Sequence, residues 1–365
     1  MASSEISAGA LEPEPLAALQ AALDRGLGRV GPRLPNFVAL FEPPVSTPKR
    51  VHLTSAAKSA TRKLLEDPSP PLADASLVFL FEPEPDAAAA LATRARHARV
   101  LLRDPQLGGR GVAALRAAGV AVDESKVPAL SDRVAPHLNA ERWGRPDVLI
   151  KVASSLDGRV ATRSGHSQWI TGSEARARGR RMRAEVDAIL VGSGTALADD
   201  PALTSRLEGF PTPIRVVLDS RLRLPPTSQL AQTAREVPTW VFTAPGAAPE
   251  ARRALEAEGV RVEVVPADTE GRVSPAGALA RLYGLGVRTV LVEGGPTVVS
   301  GFVDAGLADR VAWFMAPLLI GGAEAKAGLA GQGVGRLEEA LALEAPRYER
   351  LGPDLLVTGA LRRRG

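Results

Sequence analysis

The sequence predicts an α/β protein built on an open, largely parallel sheet with helices on both faces. Two observations predict it. Short apolar runs of strand length, such as 77–81, 214–218, 239–243 and 289–292, alternate with stretches of helical spacing. Glycines and prolines fall where those helical stretches would stop and start. The 365 residues, 45% apolar and 24% charged, suffice for two globular domains with separate cores.

Taken in order, residues 1–35 are expected to be a flexible segment with one amphipathic stretch, 16–27, between proline-bearing flanks. Residues 36–72 mix apolar pieces (37–41 among them) with prolines and a helix-like stretch, 55–66, and DPSPPLAD then has loop composition. Regularity begins at Ser76, with a strand at 77–81, an alanine-rich helix at 86–97 and a strand at 99–102. A helix at 111–118, ended by Gly119, and a strand at 120–122 complete a parallel layer. The polar run 136–147 is expected to be a hinge, so the domain boundary is placed near residue 146.

The second domain repeats the style. Strands are expected at 148–153, 188–191, 214–218, 239–243, 261–265, 289–292 and 310–316. Helices are expected at 250–259, at 275–285 and from Pro296 to about 305, with 219–226 a loop. Residues 341–361 alternate like one or two antiparallel strands.

Composition narrows the function classes. The pI near 9.7 accompanies a net charge of only +4, because a chain with no cysteine and two tyrosines buffers little in the alkaline range. The one dense basic run, 176–183, has the spacing of a single helix, and 362–364 reads as a solvated tail, so no nucleic-acid partner is expected. Lack of cysteine excludes disulfides, thiolate zinc sites and cysteine nucleophiles. His52, His97, His137 and His166 show no ligand spacing, so no metal is expected. The N-terminus is acidic and proline-bearing rather than signal-like, and no apolar run approaches the ~18 residues of a membrane span. A soluble, cytoplasmic protein is expected.

The chemistry concentrates in 151–207. Lys151 lies in an apolar strand, followed by Asp157-Gly158 and by Ser167-Gln168-Trp169. The arginine-rich helix ends near Arg183, and beyond it come Gly192-Ser193-Gly194-Thr195, the pair Asp199-Asp200, and Arg206. Each residue alone has an ordinary reading: an edge-strand lysine reaching water, a core tryptophan, surface arginines, a loop-capping aspartate. Together they suit a ligand pocket with anion-binding groups, a flat aromatic and carboxylates. Far downstream, TVLVEGGPTVVSGFVDAGL reads as a strand, a glycine pair and a helix with Pro296 in its first turn. Such a turn favours a phosphate at the helix N-terminus or is simply a connection. Glu293 stands at the carboxyl end of its strand, where α/β proteins place site groups.

The motifs IKVASSLDGRVAT, SGHSQWITG, LVGSGTALADDPALTSR, LVEGGPTV and LIGGAEA, in this order, resemble the reductase domain of the bifunctional deaminase/reductase family of riboflavin biosynthesis. The resemblance spans about residues 146–340. It implies a dihydrofolate-reductase-like three-layer reductase domain over 146–365, NADPH as cofactor, a phosphorylated ribosylaminopyrimidine as substrate, and a homodimer. The same resemblance implies NADPH contacts for Ala153, Trp169, Thr195, Asp199 and the turn Gly294, Gly295, Pro296, Thr297, Val298, Val299, Ser300 and Gly301. Substrate contacts are implied for Ser167, Arg183, Leu203, Arg206 and Glu293. No arginine accompanies the turn 192–195, so residues alone leave NADPH over NADH open.

The first domain departs from the family, whose deaminase holds zinc with a His-Ala-Glu helix and a cysteine pair. This chain has neither. Phe81-Glu82-Pro83 stands where the family's zinc loop begins, with Glu84 in place of the first cysteine, and RDPQLGGRGVAALRAAGVAV resembles the end of such a domain. Residues 36–145 are therefore expected to be a degenerate cytidine-deaminase-like α/β domain without zinc or deaminase activity, which leaves room for a separate deaminase partner. The expected reaction is reduction of 5-amino-6-(5-phosphoribosylamino)uracil, with Lys151, Glu293 and Asp199 as the catalytic set. Two alternatives stand beside it: reduction of a related pyrimidine or pteridine, and a non-catalytic nucleotide-binding scaffold.

Overall fold

The computed structural model describes residues 36–41, 50–54, 76–81, 83, 85–93, 97–102, 109–124, 128–207 and 212–362. The segment 1–35, the helical expectation at 55–66, and Glu82 and Glu84 lie outside these. The chain divides into two compact units, Met1–Leu138 and Asn139–Gly365.

The first unit holds a five-stranded sheet. Strands β1 (Asn36–Phe41), β2 (Arg50–Thr54), β3 (Ser76–Phe81), β4 (His97–Leu102) and β5 (Ala121–Asp123) lie in the order β2-β1-β3-β4-β5. β1 is antiparallel to β2 and β3, whereas β3, β4 and β5 run parallel. Helices α1 (Ala88–Ala92) and α2 (Arg110–Ala117) bury Leu91, Val112 and Leu115 against Leu77, Phe79 and Val100. The helix expected at 86–97 is shorter: its end is closed by Thr93 N–H donating to the Ala90 carbonyl, and His97 already belongs to β4. Alanine-rich sequence favours helix locally, but a place in a parallel sheet outweighs that propensity.

The expected polar hinge is largely helical. Helix α3 (Pro128–Trp143) runs through most of 136–147, with Pro136 inside it, and the two units divide between Leu138 and Asn139 within the helix. Its buried positions include Pro136, His137 and Ala140, so no apolar stripe marks it as a helix.

The second unit is a nine-stranded mixed sheet. Its strands are β6 (Asp147–Ser155), β7 (Ala188–Gly192), β8 (Ile214–Leu218), β9 (Thr239–Thr243), β10 (Arg261–Val264), β11 (Thr289–Val292), β12 (Arg310–Ala316), β13 (Leu343–Leu351) and β14 (Asp354–Leu361). They order as β10-β9-β8-β7-β11-β6-β12-β14-β13. Pairing is parallel from β10 to β12 and antiparallel at β14 and β13, as the alternation in 341–361 predicts.

Helices cover both faces. Helices α8 (Pro275–Gly284) and α9 (Pro296–Asp304) bury Leu279, Leu282 and Phe302 against Ile150, Val152 and Val290. On the other face lie α4 (Ser173–Arg183), α5 (Ser193–Asp199), α6 (Gln229–Gln232) and α7 (Pro249–Ala257). There Ala175 and Met182 of α4 meet Leu291 and Phe314, while Leu230 and Leu255 meet Val217 and Val241. Paired charges set the start of β6: Asp147 accepts from Arg310 Nε at 2.7 Å, and Arg145 holds Asp309 through two bonds of 2.8 Å. Both carboxylates are buried, so each needs its partner to offset desolvation.

Strand order makes a crevice. β11 inserts between β6 and β7, and the chain leaves β7 into α5 on one face but leaves β11 into α9 on the other. Neighbouring strands whose exits diverge leave an opening at their carboxyl ends, the usual ligand position of such sheets.

Candidate active site

A cavity of about 840 Å³ occupies that opening. Lys151, Thr195, Asp199, Glu293 and Gly295 are among the residues that line it. β6 is central, flanked by β11 and β12, so the edge-strand reading of Lys151 fails. Strand alternation sends Ile150 and Val152 into the core under α8 and α9 and turns Lys151 to the α4 side. Its stem passes Gly179 of α4, where an added Cβ would sit 3.8 Å from Lys151 Cε, and its Nζ lies 5.7 Å from the centre of the Phe314 ring.

Glu293 follows β11 directly, and its side chain is nearly buried. Arg183, at the end of α4, grips it with Nε to Oε1 at 2.7 Å and Nη2 to Oε2 at 2.9 Å. Lys151 Nζ approaches Oε2 at 3.9 Å. Burial alone would raise the Glu293 carboxyl, but Lys151 and the Arg183 bonds outweigh it and hold the group below its usual range. The same bonds raise the Arg183 guanidinium despite burial. A fixed carboxylate therefore stands beside the Lys151 ammonium at the cavity wall.

Gly192 and Gly294 allow a close approach. A Cβ on Gly192 would fall 2.6 Å from Val298 Cγ2, and one on Gly294 would fall 2.8 Å from Val298 Cβ, so the first turn of α9 rests directly on β7 and the turn after β11. Gly295 N–H donates to Thr195 Oγ1 at 3.1 Å, tying the two walls together. Pro296, Thr297, Val298 and Val299 also line the cavity, so the positive end of the α9 dipole faces it. Gly294→Ala should overpack this junction and cost about 1–3 kcal/mol, read as a lowered urea midpoint. An unchanged midpoint would show that Val298 moves freely.

Ala153, Ser167, Gly294 and Gly301 likewise line the cavity, whereas Trp169, Arg183, Leu203, Arg206 and Ser300 do not. Trp169 is 70% exposed with the Arg176 guanidinium 4.9 Å over its ring. Ser300 is buried, its hydroxyl accepting Ala330 N–H. Leu203 is core, and Arg183 spends its third bond on the Thr204 carbonyl at 3.1 Å. Arg206 is exposed. Asp200, Leu203 and Arg206 all have positive φ (37°, 51° and 53°), a cost that clusters at sites. Buried Arg215 supports this loop by donating to the Ala202 carbonyl, to Thr233 Oγ1 and to the Val237 carbonyl; burial brings its guanidinium down to about 10.

Asp157, singled out as a neighbour of Lys151, faces elsewhere. It bonds Ser155 and the N–H groups of Ile320 and Gly321, which hold its carboxyl down at about 2 and fasten the LIGG segment. Ser193, from the small-residue turn, lines the cavity too, and Ser220, Arg223, Arg272 and Lys326 also line it but escape the sequence reading. Ser220 alone carried a signal, since it stands just past the carboxyl end of β8.

A family model described as the RibD C-terminal domain matches residues 146–357. The chain belongs to that family. It is 37% identical over 255 residues to a riboflavin biosynthesis protein RibD of Actinobacillus pleuropneumoniae, covering 70% of this chain and 67% of that one. It is 39% identical over 216 residues to a 2,5-diamino-6-ribosylamino-4(3H)-pyrimidinone 5′-phosphate reductase of Methanothermobacter thermautotrophicus, covering 58% of this chain and 97% of that one. Among solved structures it is similar to RibD of Acinetobacter baumannii, with a TM-score of 0.75 and 26% identity over 96% of this chain and 99% of that one. The family's domain coincides with the unit that holds the cavity.

Proposed function

We propose that this chain is the NADPH-dependent reductase of 5-amino-6-(5-phosphoribosylamino)uracil in riboflavin biosynthesis, acting in the cytoplasm as a homodimer. The observation that carries this reading is the Lys151–Glu293–Arg183 cluster beside the glycine turn and α9 at one cavity. A bound nicotinamide cofactor supplies a hydride to C1′ of the ring-opened sugar, where a carbon–nitrogen double bond is available. The residues fit such a group: the cavity has about 840 Å³ of room, glycines admit close approach, and the α9 terminus suits a pyrophosphate.

Lys151 holds the proton that the sugar-bearing nitrogen takes up, and its charge favours the transition state. Glu293 helps keep that ammonium in place. Asp199 and Thr195 are placed to accept and donate hydrogen bonds to ribose hydroxyls. Exposed Arg206 suits the substrate phosphate through its planar fork. Arg183 supports the same end indirectly, by holding the Thr204 carbonyl and Glu293 together.

The reading extends to a dihydrofolate-reductase-like domain over 146–365 and a degenerate deaminase-like domain over 36–145. A zinc deaminase needs metal ligands and a glutamate for proton transfer. The chain has no cysteine, and the described residues contain no cluster of three or more His, Asp or Glu placed to hold a metal. A separate deaminase would then supply the substrate. The M. thermautotrophicus relative, named for the diaminopyrimidinone, favours a second reading in which that compound is reduced before deamination.

NADPH oxidation followed at 340 nm with each pyrimidine, beside a deaminase assay with added zinc, tests these readings. Oxidation with the uracil alone is expected. Oxidation only with the diaminopyrimidinone would establish the second reading, binding without oxidation would leave a scaffold, and zinc-dependent deamination would overturn the account of the first domain.

A further inference from the structure

The loop 200–206 is fastened by side chains of other elements. The Asp200 carbonyl accepts from Gln229 Nε2 at 2.6 Å, the Ala202 carbonyl from Arg215 Nη1 at 3.3 Å and the Thr204 carbonyl from Arg183 Nη1 at 3.1 Å. Alternate carbonyls thus meet donors from the start of α6, from β8 and from the end of α4. Asp200 closes a second bond, its Oδ1 accepting Gln229 N–H at 2.8 Å. Leu203 is buried in one cluster with Leu230 of α6.

Such fastening has a cost. Asp200, Leu203 and Arg206 hold positive φ, and Asp200 does so as the residue that ends α5. Arg215 is 1% exposed, and its bonds go to the carbonyls of Ala202, Leu230 and Val237 and to Thr233 Oγ1, none of them an opposite charge. Merely joining α5 to β8 asks for neither the left-handed residues nor the buried guanidinium. What they achieve is a fixed loop.

Its place gives that rigidity a use. Arg183, which holds Thr204, also grips Glu293 beside Lys151. Arg206 follows Thr204 by two residues, so their Cα atoms stand at most about 7 Å apart. An exposed guanidinium is thereby kept close to the Lys151 cluster. C1′ and the 5-phosphate of the proposed substrate belong to one sugar, so the groups that meet them need a set spacing. We propose that Asp200 and Gln229 are positioning residues whose paired bonds fix the loop, so that Arg206 meets the substrate's phosphate while C1′ faces Lys151. Arg215 braces the same loop. Neither Asp200 nor Gln229 lines the cavity, so both act through the loop rather than by touching a ligand. This assignment rests on the reductase reading above.

The test is steady-state NADPH oxidation by the full chain with the phosphorylated uracil and with its dephosphorylated form, beside an NADPH titration. Gln229 is exposed, so Gln229→Ala removes its amide without opening the core. It should raise KM for the phosphorylated substrate about three- to tenfold, with kcat and NADPH affinity unchanged. Asp200→Gly keeps the left-handed backbone accessible but removes the carboxylate, and should raise the same KM by on the order of tenfold. In both variants the advantage of the phosphorylated substrate in kcat/KM should shrink by the same factor. Asp200→Asn keeps the acceptor oxygen and tolerates that backbone, so it should restore the wild-type KM. An unchanged KM in both variants would overturn the assignment, as would an Asp200→Asn as impaired as Asp200→Gly. Losses that fall equally on kcat, NADPH affinity or the dephosphorylated substrate would also overturn it, by making the pair a packing feature. The reductase reading would stand in each of these cases. No turnover of either pyrimidine by wild type would instead sink that reading, and this inference with it.

Discussion

Lys151→Met should lower turnover of the proposed reduction by about 10²–10⁴-fold, the range for losing a positioned proton donor. Methionine keeps the length of the stem that passes Gly179 and Phe314, so packing is retained while the ammonium is lost. Glu293 does not become an orphan in this variant, because Arg183 still holds both of its oxygens. The fold should therefore survive, and cofactor affinity should stay near the wild-type value, since the proposed cofactor side is made of the glycines, Thr195 and α9. Steady-state kinetics beside a cofactor titration checks this. Unchanged kcat would remove Lys151 from the chemistry, whereas a loss expressed wholly in cofactor affinity would make it a binding residue.

Arg183→Met should be the most destabilising single change at the site. It removes two bonds to a buried carboxylate and one to the Thr204 carbonyl, leaving Glu293 with only Lys151 at 3.9 Å. Breaking a buried pair by removing one partner costs about 3–5 kcal/mol, and the remaining lysine should keep the loss near the lower end. Its pH dependence has a definite sign. In the wild type the folded-state carboxyl of Glu293 lies below its reference value of 4.5, so the stabilisation is fully present above that pH and fades as pH falls through the folded value. The gap between wild type and Arg183→Met in urea midpoint should thus be widest at neutral pH and close in acid. Equal midpoints at pH 7 would mean that the pair contributes nothing to the fold.

The arginine also shows where reading by resemblance stops. Arg183 is implied as a substrate contact, yet two of its three bonds go to Glu293, 110 residues away in sequence. No local pattern in SEARARGRRMR distinguishes that arginine from its neighbours, because helical spacing encodes which face is buried and not which charge waits there. Trp169 teaches the converse: an indole in a polar turn reads as a stacking platform or as core, and here it stands exposed beneath Arg176. The polar run 136–147 did not read as a helix because one whose buried residues include proline, histidine and alanine carries no apolar period. The strands of the second unit were legible to within a few residues, since parallel strands buried on both faces are short continuous apolar runs.

By itself the sequence determined the α/β class, the strands and most helices of the second unit, the glycine turn at 294–295 and the position of Glu293 just past a strand. It also determined that no thiolate metal site is possible. These depend on residues within a turn or two of each other, where periodicity, glycine and proline act directly. Only the tertiary structure decided that β11 lies between β6 and β7, which opens the crevice and brings Glu293 to Lys151. It alone placed Arg223 against Ser193. Strand order is settled by non-local pairing and by burial summed over the whole sheet. A site formed where loops from separate strands converge therefore has no signature in any one of them.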